Sequence, residues 1–261
     1  MSEFSLGDRP CTPEFNLDDV LVIIPVLNEE DALGGVIQAL QHQGLQHIRV
    51  VDNGSTDQSA NVARTHGADV LTEGQRGYGQ ACWTGIQNIP ETIQWILFCD
   101  GDGSDDLSQL PRFFSAAPMV DFVLANRRAT AKSRAALTWA QNAGNGLAVF
   151  LMWLGWGYRY SDLGPLRLIR RSLLDQIQMQ DRGFGWTIEM QVRAIECDLR
   201  IQEVPMEYGD RKGGQSKISG TIGGVLRAGQ GILGTLAKFY WRKWRNSGNL
   251  KLIFPNQHGQ R

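Results

Sequence analysis

The sequence contains few cysteines, no long apolar run and, over its last fifth, no acidic residue. Its four cysteines are scattered, with no CxxC pair and no metal-ligand spacing, which favours a reducing cytoplasm. The most apolar run, residues 147–156, spans about ten residues, whereas a bilayer-spanning helix needs roughly twenty. The polar and acidic start, MSEFSLGDRPCTPEF, does not match a signal peptide. We therefore expect a cytoplasmic protein that crosses no membrane.

The missing acidic residues make the charge of the chain asymmetric. From residue 211 to the end there are ten lysines and arginines and no aspartate or glutamate. The first 210 residues hold sixteen basic and twenty-seven acidic residues, a balance of −11. Such an asymmetry indicates an anionic partner for the C-terminal part: a membrane surface, a nucleic acid or a phosphorylated substrate.

Apolar runs typical of buried strands alternate with helical patterns through the first half of the chain. The predicted strands are rich in Val, Ile and Leu and lie at residues 19–25, 48–52, 70–71, 95–100 and 122–126. Apolar strands separated by helices predict an α/β fold with a largely parallel sheet and helices on both faces. The second half is predicted to be mainly helical, at residues 137–154, 187–197 and from 218 onward, with a late strand at 200–205. We expect a tail at 1–17, an α/β domain at 18–217 and a basic, amphipathic helical extension at 218–261.

The segment FCDGDGSDD places four carboxylates directly after an apolar strand. Clustered carboxylates repel one another unless a cation lies between them. Mg²⁺ takes one or two carboxylates and completes its shell with waters and phosphates, so we expect Asp100 and Asp102 to hold a divalent cation with Ser104 nearby. A solvated acidic loop is the alternative. An EF-hand calcium loop is disfavoured because Pro111 stands where that loop has its bidentate glutamate.

Polar residues also follow the first two predicted strands, in VLVIIPVLNEE and VVDNGSTD. Ligands collect at the carboxyl edge of a parallel sheet, beside the helix N-termini. Alternatively, Asn28 only caps a helix and the second segment is only a turn and a cap. Arg127, Arg128 and the basic loop at residues 211–217 offer groups suited to phosphate, or else they are solvated surface charges.

The order and spacing of these motifs resemble those of glycosyltransferase family 2, which has the GT-A fold. Within it the sequence is most similar, over residues 20–239, to the dolichyl-phosphate and polyprenyl-phosphate mannosyl- and glucosyltransferases. The resemblance implies a nucleotide-diphosphate sugar as donor and a metal motif at Asp100-Gly101-Asp102, with Ser104 where glutamine is common. The donor contacts that it implies at the strand ends and in RGYGQA are Pro25, Leu27, Glu29, Val51, Asp52, Asn53 and Arg76.

Further matches lie in the second half of the chain. Arg127 matches the arginine of a Gly-Ser-Arg segment, and SDLGPLRLIRR, with Asp162 and Arg167, resembles an acceptor-side motif. Glu189 takes the place of a helical glutamate, and residues 211–217 resemble an R-x-x-G-x-S-K loop. The sequence departs from the family pattern at Asn53, where the family has a base-contacting aspartate. It also departs at Asn142, where some relatives have an arginine near the acceptor phosphate.

The resemblance implies an inverting hexosyltransferase that depends on Mg²⁺ or Mn²⁺ and uses a UDP- or GDP-sugar. Arg211 and Lys217 would close over the donor diphosphate, while Arg127 orients the donor or an acceptor phosphate. A polyprenyl-phosphate acceptor, dolichyl or undecaprenyl, is already anionic and needs no base. A hydroxyl acceptor needs one, and Asp162 and then Glu189 are the candidates. The alternatives are a transferase for a soluble hydroxyl acceptor and a non-catalytic membrane-surface adaptor.

The segment KFYWRKWR, residues 238–245, interleaves four aromatic with four basic residues. Aromatic rings favour the bilayer interface and basic residues favour anionic lipid. We therefore expect the C-terminal helix to rest on an anionic membrane surface, which would make the protein peripheral on the cytoplasmic face of the membrane. We expect no nucleic acid partner. The alternative is that these rings pack on the protein's own core or at a dimer interface.

Overall fold

A seven-stranded sheet organises the chain in the computed structural model, which describes residues 15–209 and 222–246, with side chains of the last helix from residue 229. The strands are β1 (Val20–Val26), β2 (His47–Asp52), β3 (Asp69–Thr72), β4 (Trp95–Phe98), β5 (Phe122–Asn126), β6 (Arg167–Arg170) and β7 (Ile201–Pro205). Their order is β3-β2-β1-β4-β6-β5-β7. β3, β2, β1 and β4 run parallel, as do β5 and β7, and β6 is antiparallel to both of its neighbours. The prediction of a largely parallel sheet is confirmed.

Helices cover both faces of this sheet. They are α1 (Glu30–His42), α2 (Ser59–Thr65), α3 (Tyr78–Gly85), α4 (Pro111–Ala116), α5 (Ala131–Ala136), α6 (Trp139–Trp156), α7 (Arg171–Ile177), α8 (Trp186–Glu196) and α9 (Ile222–Asn246). Buried side chains of α1 and α4 share one apolar cluster with one face of the sheet. Those of α3, α6, α7, α8 and α9 share a second cluster with the other face.

The alternation of β1 shows why the strands read as continuous apolar runs. Val22 and Ile24 point into the cluster beneath α1, whereas Leu21 and Ile23 point into the cluster beneath α3 and α8. Since successive side chains of a strand point to opposite faces, a strand covered on both faces needs apolar residues at every position. This pattern identified β1 and β4 from sequence.

Three elements between β5 and α8, namely α5, β6 and α7, were not predicted as secondary structure. The segment RLIRR forms β6 and opens α7, although the sequence interpretation treated it only as part of an acceptor motif. Leu168 and Ile169 of β6 are fully buried, but arginines flank them on both sides. A run of two apolar residues is too short to give a strand signal, and only the pairing with β4 and β5 stabilises it.

Helix α6 begins and ends with clear local signals. Thr138 and Gln141 form a reciprocal capping box at its start. At its end Gly157 adopts a left-handed conformation, φ 77°, which a residue with a side chain rarely adopts. The predicted helix at 137–154 is thus confirmed with a shift of two residues.

Helix α9 packs against the same core instead of standing apart from it. Leu236 and Phe239 are buried in the second cluster, and the Tyr240 hydroxyl donates to the Leu151 carbonyl of α6 at 2.5 Å. The Thr235 hydroxyl donates to Asp181 at 2.6 Å. The separation of residues 218–261 as an extension stays a prediction, because residues 210–221 and 247–261 lie outside the described part of the chain.

Candidate functional site

The segments that follow β1 and β2 are joined at the carboxyl edge of the sheet. The Asn53 amide donates to the Val26 carbonyl at 2.8 Å, and the Asn28 amide donates to the Ser55 hydroxyl at 2.9 Å. The Glu29 amide donates to the buried Ser59 hydroxyl at 2.7 Å. The two polar segments that the sequence singled out therefore form one structural unit.

The residues predicted to contact the nucleotide differ in what they can offer a ligand. Pro25 and Leu27 are partly exposed at the strand end, and Glu29 and Asp52 are mostly buried beside them. Asp52 accepts a hydrogen bond from the Ser55 amide at 2.9 Å. The Val51 side chain is fully buried in the core, so only its backbone can reach a nucleotide.

The side chain of Asn53 holds a loop of the protein, which favours a structural role for it over a contact to the base. Its Nδ2 donates to the carbonyls of Glu73 and Gln75, at 3.1 and 2.7 Å, and its Oδ1 accepts from the Gly77 amide at 2.7 Å. Both amide hydrogens and the carbonyl are thus used within the protein. An aspartate could not donate these two bonds, which gives a physical reason for asparagine here.

The loop fixed by Asn53 leads into the glycine-containing segment RGYGQA. Arg76 is exposed on this loop, close to Gly54. At the start of α3 the amides of Gly79 and Gln80 donate to the carbonyls of Gly183 and Arg182, at 3.0 and 2.8 Å. A Cβ on Gly79 would lie 2.7 Å from the Asp181 carbonyl oxygen, so this close backbone approach requires glycine.

The acidic segment follows β4 and is tightly structured. The Ser104 amide and hydroxyl both donate to Asp102, at 3.0 and 2.5 Å, and both residues are buried. The Tyr78 hydroxyl donates to Asp100 at 3.3 Å. A Cβ on Gly101 would lie 3.2 Å from a Val26 methyl carbon, so the segment packs closely on β1. This is not the freely solvated loop that was the alternative.

Asp105 is a feature of this segment that the sequence interpretation did not single out. It is buried, and neither of its carboxylate oxygens has a hydrogen-bond partner among the described residues. Its pKa is raised to about 8, mainly by burial and secondly by the nearby charge of Asp100, while Arg127 opposes the shift. The ionised form of Asp105 is therefore disfavoured by its described surroundings, which bury the carboxyl group without a hydrogen-bond donor.

The donor set fits a divalent cation that is shared with a phosphorylated ligand. Among the described residues, no group of three or more His, Cys, Asp or Glu side chains forms a complete metal site. Mg²⁺ commonly uses only one or two protein carboxylates and takes its other ligands from water and phosphates. Asp100 and Asp102, with Ser104 fixed on Asp102, satisfy that requirement, and the buried Asp105 oxygens, which have no hydrogen-bond partner among the described residues, also fit a nearby cation.

Arg127 lies beside the acidic segment and is bound by Asp162. Its Nε and Nη2 donate to the two oxygens of Asp162 at 2.8 and 3.0 Å, and its own amide donates to the same carboxylate at 2.9 Å. The guanidinium stacks 5.0 Å from the centre of the Tyr208 ring. Tyr208 also pairs with Asp105 in an isolated antiparallel β-bridge, so it adjoins both the arginine and the acidic segment.

Asp162 is poorly suited to the role of general base that the sequence interpretation gave it. Burial alone would raise its pKa, but Arg127 and the amide of Asn145 lower it to about 2. A carboxylate this acidic, with both oxygens bound, is a weak proton acceptor. Its position assigns it instead to the orientation of Arg127, with Asn145 of α6 as a further partner that the sequence did not reveal.

Glu189, the second candidate base, is also engaged inside the protein. One oxygen accepts from the amides of Gln180 and Asp181, at 3.0 and 2.5 Å, and the other pairs with Arg193 at 2.8 Å. It is buried near the start of α8. Glu189 therefore holds the loop that supports Gly79, which favours a structural role for it over that of a base.

The remaining predicted residues are less informative. The side-chain amide of Asn142 donates to the carbonyls of Arg134 and Leu137, each at 3.1 Å, and so holds the turn before α6. Arg167 is buried, with its Nη1 donating to the Thr187 carbonyl at 2.9 Å. Arg211 and Lys217 lie outside the described residues.

The aromatic residues of the C-terminal segment divide into two pairs. Phe239 is buried, and Tyr240 packs against Trp156 and Gly155 of α6. Trp241 and Trp244 are 61% and 57% exposed. Packing against α6 and α8 buries Phe239 and half-buries Tyr240, so for this pair the alternative holds, in which the rings pack on the protein's own core. Among the described residues, no helix combines the length and apolar character of a membrane span.

Residues 21–180 match the profile of the family described as Glycosyl transferase family 2. An uncharacterised glycosyltransferase of Mycobacterium tuberculosis is 36% identical over 214 residues, which are 81% of this chain and 94% of the relative. The undecaprenyl-phosphate mannosyltransferase of Micrococcus luteus is 30% identical over 222 residues, 78% of this chain and 89% of the relative. The polyprenol monophosphomannose synthase of Mycolicibacterium smegmatis is 28% identical over 238 residues, 84% and 88% of the two chains.

Solved structures with a similar fold include two sugar-phosphoglycerate synthases. The glucosyl-3-phosphoglycerate synthase of M. tuberculosis, in complex with Mn²⁺, uridine diphosphate and glucosyl-3-phosphoglycerate, gives a TM-score of 0.66 at 20% identity, over 85% of this chain and 79% of that chain. The mannosyl-3-phosphoglycerate synthase of Rubrobacter xylanophilus gives 0.64 at 20% identity, over 92% and 78%. At this identity the likeness shows the shared fold, GT-A.

Proposed function

The chain belongs to glycosyl transferase family 2, and we propose that it transfers a hexose, with inversion, from a UDP- or GDP-sugar to a polyprenyl phosphate. The arrangement that carries the proposal is a largely buried acidic segment, Asp100 to Asp105, joined through Tyr208 to a buried arginine, Arg127. The acidic side suits a cation bound to the donor diphosphate, and the arginine suits an acceptor phosphate.

On the donor side, Asp100 and Asp102 would hold Mg²⁺ or Mn²⁺. When bound, the cation neutralises the diphosphate and stabilises the nucleotide as a leaving group. The Tyr78 and Ser104 hydroxyls orient the two carboxylates through the hydrogen bonds at 3.3 and 2.5 Å. Arg211 and Lys217 would close over the same charge. The Mn²⁺ and uridine diphosphate of the structurally similar M. tuberculosis synthase support this assignment.

On the acceptor side, the engagement of both candidate bases favours an acceptor that is already anionic. Asp162 and Glu189 have both oxygens in hydrogen bonds or ion pairs, so neither is available to take a proton from a hydroxyl. A phosphate oxygen needs no such base. Arg127, held in orientation by Asp162, can bind the acceptor phosphate through the rest of its guanidinium fork. The names of the Micrococcus and Mycolicibacterium relatives support a polyprenyl acceptor.

A soluble acceptor is the second candidate. The two synthases of similar fold are named for transfer to 3-phosphoglycerate, which carries a hydroxyl acceptor and a phosphate. The third candidate, a non-catalytic adaptor, has no use for the buried acidic segment and the Asp162–Arg127 pair. Residence on the cytoplasmic face of a membrane, through α9, is part of the first candidate only.

Transfer of labelled sugar tests the proposal directly. The protein is incubated with labelled UDP- or GDP-hexoses, Mg²⁺ or Mn²⁺, and either detergent-solubilised polyprenyl phosphate or 3-phosphoglycerate. We expect label in the organic phase with the lipid acceptor, and at least about 10²-fold less with Asp102→Asn. Label in the water-soluble product alone would favour the second candidate, and no transfer to either acceptor would favour the adaptor.

A further inference from the structure

The exposed apolar side chains of the described residues concentrate on two adjacent helices. With the exception of Met119, the large ones lie on α6 and α9: Trp139, Leu147, Phe150, Leu154, Leu233, Trp241 and Trp244. The helices are held together by the Tyr240 hydroxyl on the Leu151 carbonyl and by the Lys243 ammonium on the Gly155 carbonyl. The two helices therefore lie side by side, and we define their seven exposed residues as the α6–α9 surface.

Helix α6 contributes the apolar part of this surface. Its eighteen residues include no charged side chain. Ala148 and Met152 fill the core side, whereas Leu147, Phe150 and Leu154 form a stripe on the outer side that is 47%, 52% and 39% exposed. An outer face of a surface helix is normally polar, and a contiguous apolar one marks an interaction surface.

Basic residues border the stripe and identify the kind of partner. Lys238, Lys243 and Arg245 of α9 are exposed, as is Arg159 just beyond α6. Residues 222–246 contain no acidic residue. Apolar side chains bordered by cations suit the acyl chains and headgroups of an anionic bilayer. A second copy of the chain would bring two such cationic helices together, which is electrostatically unfavourable.

We propose that the α6–α9 surface inserts into an anionic lipid bilayer, with the Leu147–Phe150–Leu154 stripe in the acyl region and Trp241 and Trp244 at the interface. The inference rests on the proposed lipid acceptor and extends it to a helix that the sequence did not implicate. The buried side of α6 carries Asn145, which binds Asp162 and through it Arg127. The inserted helix is thus connected to the arginine that would meet a lipid phosphate.

Vesicle sedimentation of the full chain, without donor or acceptor, tests the insertion. The probe is mixed phosphatidylcholine–phosphatidylglycerol vesicles, with pure phosphatidylcholine as the neutral comparison. The variant is the double substitution Leu147→Gln, Phe150→Gln, and the matched control is Met119→Gln, since Met119 is 64% exposed but lies on neither helix. We expect the double variant to bind at least about tenfold more weakly and the control to bind as wild type, given the transfer free energies of the two side chains.

The outcomes separate this inference from the proposed function. Equal pelleting of wild type and double variant, or no pelleting of wild type, would overturn insertion through α6. A wild-type dimer in solution that the double variant dissociates would also overturn it, because the surface would then join two copies. Transfer to detergent-solubilised polyprenyl phosphate should be unchanged in the double variant, whereas failure of the proposed function would abolish that transfer in wild type too. Unchanged thermal stability of the double variant excludes misfolding as the cause of lost binding.

Discussion

Replacing Asp162 by asparagine would show whether this residue orients Arg127 or acts as a base. In the ion pair between Asp162 and Arg127, the carboxylate is fully buried and the arginine side chain is nearly so. Asparagine keeps one acceptor oxygen but removes the charge opposite a guanidinium that cannot lose its proton. The variant should therefore lose stability as well as activity.

The expected size follows from two independent arguments. Breaking a buried ion pair by removing one partner costs about 3–5 kcal/mol. The pKa of Asp162, about 2, lies below an unfolded value of about 3.9, and this difference corresponds to roughly 2–3 kcal/mol at neutral pH. The Tyr208 ring can still compensate part of the charge of Arg127, so we expect the free energy of unfolding to fall by about 3 kcal/mol. For a chain of this size that lowers the melting temperature by roughly 6–12 °C.

Urea unfolding followed by tryptophan fluorescence measures this loss, with Glu207→Gln as the control because its ion pair with Lys132 is exposed. A lowered pKa in the folded state stabilises the protein above about pH 4, and that contribution is lost as the pH falls towards 2. The difference between wild type and Asp162→Asn should therefore shrink in acid. The contrary result is that Asp162→Asn unfolds at the same urea concentration as Glu207→Gln and yet loses kcat with an unchanged acceptor KM. That result would refute the orienting role and assign Asp162 as the general base.

Three further predictions concern the donor side. Asp102→Asn should lower transfer by at least about 10²-fold, and excess EDTA should abolish transfer by wild type; full activity in EDTA would contradict metal dependence. Asn53→Asp should destabilise the protein by about 1–3 kcal/mol and weaken nucleotide binding in calorimetry, since a carboxylate cannot donate to the two loop carbonyls; tighter binding would show that residue 53 contacts the base. Gly79→Ala should cost on the order of 1–3 kcal/mol in thermal unfolding because the Asp181 backbone cannot yield, whereas Gly35→Ala, in open space on α1, should be neutral or stabilising. Equal effects of the two alanines would show that the approach of Gly79 is not tight.

The fold was predictable where the signal lies within one segment. β5 was placed at its observed ends, and β1, β2 and β4 within two residues, because most of their positions are apolar and buried. The acidic segment was found because repelling carboxylates next to glycines after a buried strand have few structural explanations. β6 was missed because two apolar residues between arginines resemble a strand only once β4 and β5 flank them.

The candidate site was less predictable where a residue's partner is distant in sequence. Asp162 and Arg127 are 35 residues apart, and nothing in either segment shows that one carboxylate will be occupied by the other. The amide of Asn53 could equally serve a base or a loop until the positions of Glu73 and Gln75 are known. Motif spacing thus pointed to the carboxyl edge of the sheet. Deciding which residues could act as general bases, or could contact the nucleotide base, needed the tertiary contacts.

The two sides of the site are tied to the two helices of the α6–α9 surface by separate hydrogen-bond routes. Asn145 of α6 binds Asp162 and so reaches Arg127 on the acceptor side. Thr235 of α9 binds Asp181, whose other oxygen accepts from the amides of Gly183 and Gly185, and the Gly183 carbonyl accepts from Gly79 on the donor side. Because both routes consist of buried or half-buried bonds, a shift of either helix must break them or move the site with it. The positions of α6 and α9 are therefore coupled to the geometry of the site.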